Sequence, residues 1–157
     1  MDKNKRIGRH TVKLENEVYI TAASSTAGRK EGEGPLKGLF DMVLEDDMYG
    51  EMSWQMPESK LVRETFIRVA NKDGKTAEDI DLCLSGDLLN QVSASTFGVR
   101  DLNIPYLGVY GACSTMGETM GLGAMLIDGG FAKNIIAGAS SHFCAAEKQY
   151  RAPLGMG

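Results

Sequence analysis

The alternation of apolar and polar residues predicts short strands and loops in the first third of the chain. Thr11–Leu14 and Val18–Thr21 each alternate well enough to form a strand. Residues 24–38 are rich in Ser, Gly and charge, which predicts a loop. Residues 39–56 mix acidic and aromatic side chains, and we interpret them as irregular structure with a short helix around Phe40–Leu44.

The pattern becomes helical from Pro57 onward. Proline suits the first turn of a helix, and apolar residues then recur at spacings of one and four as far as Ala70. Asp73 and Gly74 predict the end of this helix. The apolar segment Ile80–Leu84 follows and is typical of a strand.

Strands and helices continue to alternate in the second half of the chain. Asn90 can cap a helix over residues 91–100. An apolar strand at Tyr106–Val109 precedes a helix of small residues over 114–128, and Asn134–Ala139 predicts another buried strand. This alternation predicts an α/β layered fold with a largely parallel sheet.

Composition and charge exclude several classes of function. The net charge is −4, and the basic residues are scattered rather than interleaved with aromatic ones, so we expect no nucleic-acid binding. No signal peptide is visible, and no apolar stretch reaches the ~20 residues that span a bilayer, so any membrane association would be peripheral. The three cysteines show no CxxC pair or Cys/His ligand spacing, which favours a reducing compartment and argues against a disulfide framework or metal site.

Cys113 is the first candidate for chemistry. It follows Gly111 at a predicted strand-to-helix junction, where unpaired N–H groups and the helix dipole would stabilise a thiolate. Ser114 or Thr115 could cap the helix. The alternative is an inert buried thiol that packs like a small apolar residue. We expect Cys113 at the start of a buried helix, at the end of a central strand.

Other polar residues fall near the same predicted edge of the sheet. His142 follows a strand and could donate to a carboxylate or act as a base, although a histidine in such a place is often only hydrogen-bonded. Asp87 and Asn90 follow the strand Ile80–Leu84, with helix capping as the competing interpretation. Arg151 could bind an anion, or it could be a solvated surface charge. We interpret Cys83 and Cys144 as structural.

An ordered set of short motifs now resembles a known family. The segments that carry this resemblance are Gly34–Asp41, Ser85–Gln91, Tyr110–Thr115, Leu126–Lys133 and Ala139–His142. With these segments the chain is similar to the stage V sporulation protein AD family, within the thiolase superfamily.

The resemblance implies a duplicated α-β-α-β-α architecture. This chain would supply the first repeat over residues 1–157. Because the chain ends in a loop, residues 151–157, without a closing helix, we expect a truncated protein that lacks the second repeat. Condensing enzymes of the superfamily place their nucleophile where Cys113 stands. Their catalytic His and Asn, or second Cys, come from the second repeat, and His142 does not stand at those positions.

The resemblance also implies a function. Members of the family bind dipicolinic acid, alone or with calcium, and help to move it into the developing spore together with other proteins of the same operon. We therefore expect a non-enzymatic binding protein, and the alternative is an acyltransferase of the thiolase type with Cys113 as nucleophile. The predicted ligand-binding residues are Asp87, Cys113, Ser114, Thr115, His142 and Arg151.

We further expect a homodimer without a cofactor or a metal site. The resemblance implies a cytoplasmic or forespore protein, peripherally associated with the spore inner membrane. Half of a duplicated fold would leave a sheet edge and an apolar helix layer uncovered, which predicts poor stability or self-association.

Overall fold

The computed structural model describes residues 5–147, except for the side chains of Asn90, Ala146 and Glu147. The strands are β1 Arg6–Ile7, β2 Thr11–Val12, β3 Thr26–Ala27, β4 Met42–Val43, β5 Leu82–Gly86, β6 Tyr106–Gly108 and β7 Ile135–Ala139. The α-helices are α1 Arg29–Glu33, α2 Met56–Lys72, α3 Ser93–Arg100 and α4 Thr115–Asp128. Short 3-10 turns cover Ala77–Asp79, Asn90–Val92 and Ala112–Ser114, and a π-helical turn covers Phe143–Glu147.

A three-stranded parallel sheet forms the centre of the fold. Its strand order is β6-β5-β7, so β5 lies in the middle. Leu84 of β5 lies opposite Leu107 of β6 on one side and Ala137 of β7 on the other. The predicted α/β fold with a parallel sheet is therefore confirmed.

Helices cover both faces of this sheet because successive strand residues point to opposite sides. Cys83 belongs to a buried cluster with Val62 and Phe66 of α2 and Val99 of α3. The next residue, Leu84, points the other way, and a Cβ built on Gly123 of α4 would lie 3.6 Å from its Cδ1 atom. The result is an α-β-α arrangement with α2 and α3 on one face and α4 on the other.

The amphipathic helix predicted from Pro57 is confirmed, while the first third of the chain contains three wrong predictions. The segment 24–38, predicted as a loop, contains β3 and α1. Val18–Thr21 does not form a strand. The segment interpreted as a short helix around Phe40–Leu44 contains β4 instead, because Met42 pairs in parallel with Thr26. These segments are short, so their pairing partners, and not local preference, decide their structure.

The start of one helix in the second half also differs from the expectation. Helix α3 begins at Ser93, and its N-cap position is Val92 rather than Asn90. Residues Asn90–Val92 form a separate turn in which Gln91 and Val92 have φ values of +61° and +53°.

Helix α4 is buried on one side only. Thr115, Thr119, Gly123 and Asp128 are its buried residues. Its other side exposes an apolar face made of Met116, Met120 and Met125, each between 40% and 44% accessible. The expectation of a deeply buried helix therefore holds for one face of α4.

Candidate functional site

The carboxyl ends of β5, β6 and β7 meet at one edge of the parallel sheet. The chain leaves β5 at Gly86 and Asp87, leaves β6 toward Cys113, and leaves β7 toward His142. This edge is where open α/β sheets bind ligands. The topology thus brings three of the predicted site residues to the same side of the molecule.

Gly86 is the point at which these segments meet. Its carbonyl oxygen accepts a hydrogen bond from Ser140 N at 3.0 Å, on the path to His142. A Cβ at Gly86 would overlap the carbonyl oxygen of Val109 and would lie 2.8 Å from Thr115 Cγ2, on the path to and from Cys113. Only a residue without a side chain permits this close approach.

Cys113 lies in the turn that starts α4. The turn is tight, since Ala112 has a φ of +49°, a left-handed conformation that is strained for any residue with a Cβ. The thiol is exposed. The predicted position at a helix start is confirmed, but the expected central strand is wrong within residues 5–147, because β6 is an edge strand there.

The backbone donors of this turn are already engaged. Ser114 N donates to Gly111 O at 3.0 Å, and Thr115 N donates to Ala112 O. The expectation that these two N–H groups point at an anion is therefore wrong in this conformation. Thr115 is 2% exposed, and its Oγ1 accepts a hydrogen bond from Gly111 N at 3.2 Å, so it serves the turn.

A carboxylate that the sequence analysis did not consider lies against the turn that holds Cys113, since a Cβ built on Gly111 would overlap the carboxylate of Glu118. The Ser114 hydroxyl lies within hydrogen-bond distance of Glu118 and of Gly111 O, and its single proton is donated to one of them at a time. Both residues are exposed. Their spacing of four residues on one helix was the available signal.

His142 is buried, with 7% of its surface exposed. Its Nδ1 accepts a hydrogen bond from the backbone N of Cys144 at 3.2 Å. In the neutral ring the proton therefore lies on Nε2, which is the nitrogen left to donate to a ligand. The side chain is thus held in one tautomer by its own loop.

Asp87 is 1% exposed, and both of its carboxylate oxygens receive backbone hydrogen bonds. Oδ1 accepts from Leu89 N at 2.8 Å, and Oδ2 accepts from Ser95 N at 2.7 Å. These bonds join the end of β5 to the first turn of α3. In this geometry Asp87 supports the edge of the sheet, and its contact with a ligand stays a prediction.

The remaining residues to place are two cysteines and two basic residues. Cys83 is fully buried, and burial raises the pKa of its thiol to about 12, which agrees with a structural role. Cys144 donates weakly through Sγ to Asp47 Oδ2 at 3.8 Å. Arg151 lies outside the described residues, as does Lys148.

A metal-binding cluster and a membrane-spanning helix are both absent from residues 5–147. No group of three or more His, Cys, Asp or Glu side chains there is placed to hold a metal ion. None of the helices in that range combines the length and the apolar character needed to cross a bilayer.

Glu58 is the most buried charged residue near the site, and the sequence analysis did not identify it. It lies in the first turn of α2 and is 0% exposed. Its Oε1 accepts a hydrogen bond from the Ser140 hydroxyl at 2.8 Å. The signal in the sequence was an acidic residue directly after Pro57, where the helix dipole favours negative charge.

These residues define an α/β protein with an exposed thiol, a buried imidazole and buried carboxylates around one edge of a parallel sheet. Comparison with known proteins gives the family. The chain matches the family model described as Stage V sporulation protein AD over residues 8–157. It is also 40% identical over 153 residues to the stage V sporulation protein AD of Bacillus subtilis (strain 168).

The chain therefore belongs to the stage V sporulation protein AD family, a family of sporulation proteins. The match covers 98% of this chain but only 45% of the Bacillus subtilis protein. The chain thus spans less than half the length of that relative.

Proposed function

We propose that the protein containing this chain binds dipicolinate, the dianion of pyridine-2,6-dicarboxylic acid, and supports its entry into the developing spore. The observation that carries this proposal is the convergence at Gly86, which the segments leading to Cys113 and to His142 both contact. A rigid planar dicarboxylate needs donors that are held in fixed positions. The sheet edge offers one such donor in the Nε2–H of His142.

His142 is the principal donor in this proposal. Its Nε2–H is oriented by the bond from Cys144 N to Nδ1, and the ring is shielded from water. A hydrogen bond from a shielded ring to a carboxylate is worth roughly 1.5–3 kcal/mol. On the other side of Gly86, the Cys113 thiol shapes the pocket.

A negative charge on the Cys113 side opposes the binding of a dianion. The Glu118 carboxylate accepts a hydrogen bond from the Ser114 hydroxyl, and its charge would repel a dianion. Because Glu118 is exposed, its side chain can rotate away. Calcium bound together with dipicolinate would also neutralise this repulsion.

Calorimetric titration of the full-length protein with dipicolinate tests the proposal. We expect His142→Ala to weaken binding by about 10- to 100-fold, which corresponds to one charge-assisted hydrogen bond. Cys113→Ala should have a smaller effect. The control is His10→Ala, since His10 is exposed and is the only other histidine in the chain. If both site variants bind as tightly as the parent, the ligand binds elsewhere.

A second candidate function is acyl transfer with Cys113 as nucleophile. The observation that favours it is the exposed thiol at a helix start, directly after the strained Ala112. Incubation with an acyl-CoA followed by mass spectrometry of the intact protein separates the two candidates. A stable adduct on Cys113 would favour the enzyme, and an unmodified thiol with dipicolinate binding would favour the binding protein.

A further inference from the structure

Three carboxylates are buried in the described part of the chain, and their partners differ. Asp87 binds the backbone amides of Leu89 and of Ser95 in α3, and Asp128 binds Lys5 far from the sheet edge. Glu58 differs from both, because it extends from α2 across to the segment that follows β7. It therefore links a helix to the segment that carries His142.

Ser140 receives this link. Its backbone N donates to Gly86 O at 3.0 Å, and its hydroxyl donates to Glu58 Oε1 at 2.8 Å. These two bonds fix the direction in which the chain leaves β7. His142 follows two residues later, and the bond from Cys144 N then orients its ring.

A carboxylate is an unusual choice for this link. Moving a carboxylate out of water costs several kcal/mol even after relaxation, and a similar apolar side chain would fill the same space without that cost. The position at the first turn of α2 offsets part of the cost, since the helix dipole favours an anion there. A strong, fixed acceptor for the Ser140 hydroxyl is what the carboxylate adds.

We propose that Glu58 is a positioning residue for His142, acting through the Ser140 hydroxyl. This inference rests on the proposed function, in which His142 contacts the ligand. Glu58 does not itself touch the ligand. Its carboxylate holds Ser140, and Ser140 sets the place of the imidazole two residues later, whose tautomer the Cys144 amide holds.

The primary test removes the hydroxyl without touching the carboxylate. Ser140→Ala in the full-length protein should change the ring-nitrogen NMR signals of His142, because the loop is no longer held on the Glu58 side. It should also lower the affinity for dipicolinate about tenfold. Ser140→Thr keeps the hydroxyl and should restore both the signals and the affinity.

A second pair of variants changes the acceptor. Glu58→Leu removes it while nearly preserving side-chain volume, and Glu58→Gln keeps an oxygen that can accept from Ser140. We expect the leucine variant to behave like Ser140→Ala and the glutamine variant to resemble the parent. Thermal unfolding of each variant shows whether any loss arises from instability.

The two proposals fail in different ways. If the parent protein does not bind dipicolinate, the proposed function is wrong, and the ring-nitrogen signals of His142 still decide the role of Glu58. If Ser140→Ala and Glu58→Leu both leave those signals as in the parent, Glu58 does not position His142. The same conclusion follows if Ser140→Thr changes the signals as much as Ser140→Ala does.

Discussion

At the scale of single residues, Gly86 is the position at which three segments of the site pack closely together. A Cβ there would overlap Val109 O and crowd Thr115 Cγ2, and a backbone oxygen cannot move aside cheaply. We expect Gly86→Ala to lower the free energy of unfolding by about 1–3 kcal/mol, as overpacking of a dense interior does. Thermal unfolding of the full-length variant checks this.

A matched glycine gives the control for this change. Gly28 has a φ of −74°, and no atom lies within 4 Å of a Cβ built on it. Gly28→Ala should therefore cost less than Gly86→Ala, about 0.5 kcal/mol at most, because Gly28 is the N-cap of α1 and alanine is less favourable than glycine there. An equal loss of stability in both variants would show that the close approach at Gly86 does not cause the loss.

At the scale of secondary-structure elements, Asp128 joins the end of α4 to the N-terminal segment. Its carboxylate binds Lys5 Nζ at 2.6 Å and accepts from the backbone N of Asn16 at 2.7 Å and of Glu15 at 2.9 Å. The hydrogen bond from Lys5, followed by that from Asn16 N, lowers the pKa of Asp128 from 3.8 to about 2. Because the folded-state pKa lies below the unfolded value, this group stabilises the fold fully above about pH 4.

We expect this stabilisation to be lost as the pH falls from about 4 through 2. Asp128→Asn should be less stable than the parent at neutral pH, and the difference in melting temperature should shrink toward pH 2. The control is Asp101→Asn, because Asp101 pairs with Arg100 on the exposed surface, where ion pairs contribute little. A parent and an Asp128→Asn variant with parallel pH profiles would contradict this assignment.

At the scale of the whole molecule, the apolar face of α4 is exposed to solvent. Met116, Met120 and Met125 are each at least 40% exposed, and Gly117 and Gly121 have open space above them. Glycines four residues apart let another helix approach closely. Exposed apolar surface of this kind usually marks an interaction site.

We therefore expect residues 1–157 alone to self-associate. Met120→Glu should shift the sedimentation of this chain toward the monomer, because burying the new charge opposes association. Asn71→Glu adds the same charge on the exposed side of α2 and should leave association unchanged. A parent chain that sediments as a monomer and unfolds cooperatively would contradict the expectation.

The long periodic segments could be predicted from local pattern. The repeat from Pro57 to Ala70 identifies α2, and apolar runs identify β5 and β7, because burial of one face or of a whole strand leaves a direct trace in the sequence. The short pairs β1-β2 and β3-β4 leave no such trace. The helix predicted around Phe40–Leu44 is wrong because Met42 pairs with Thr26, sixteen residues earlier.

The sequence alone determined the fold class, the junction that holds Cys113 and the family, since each depends on residues that are close together in the chain. The tertiary structure decided what those residues can reach. It uses the donors of Ser114 and Thr115 within the turn, turns Asp87 toward backbone amides, and joins Glu58 to Ser140 across 82 residues. Hydrogen bonds over such separations depend on how α2 packs beside the sheet, and local periodicity carries no record of that packing.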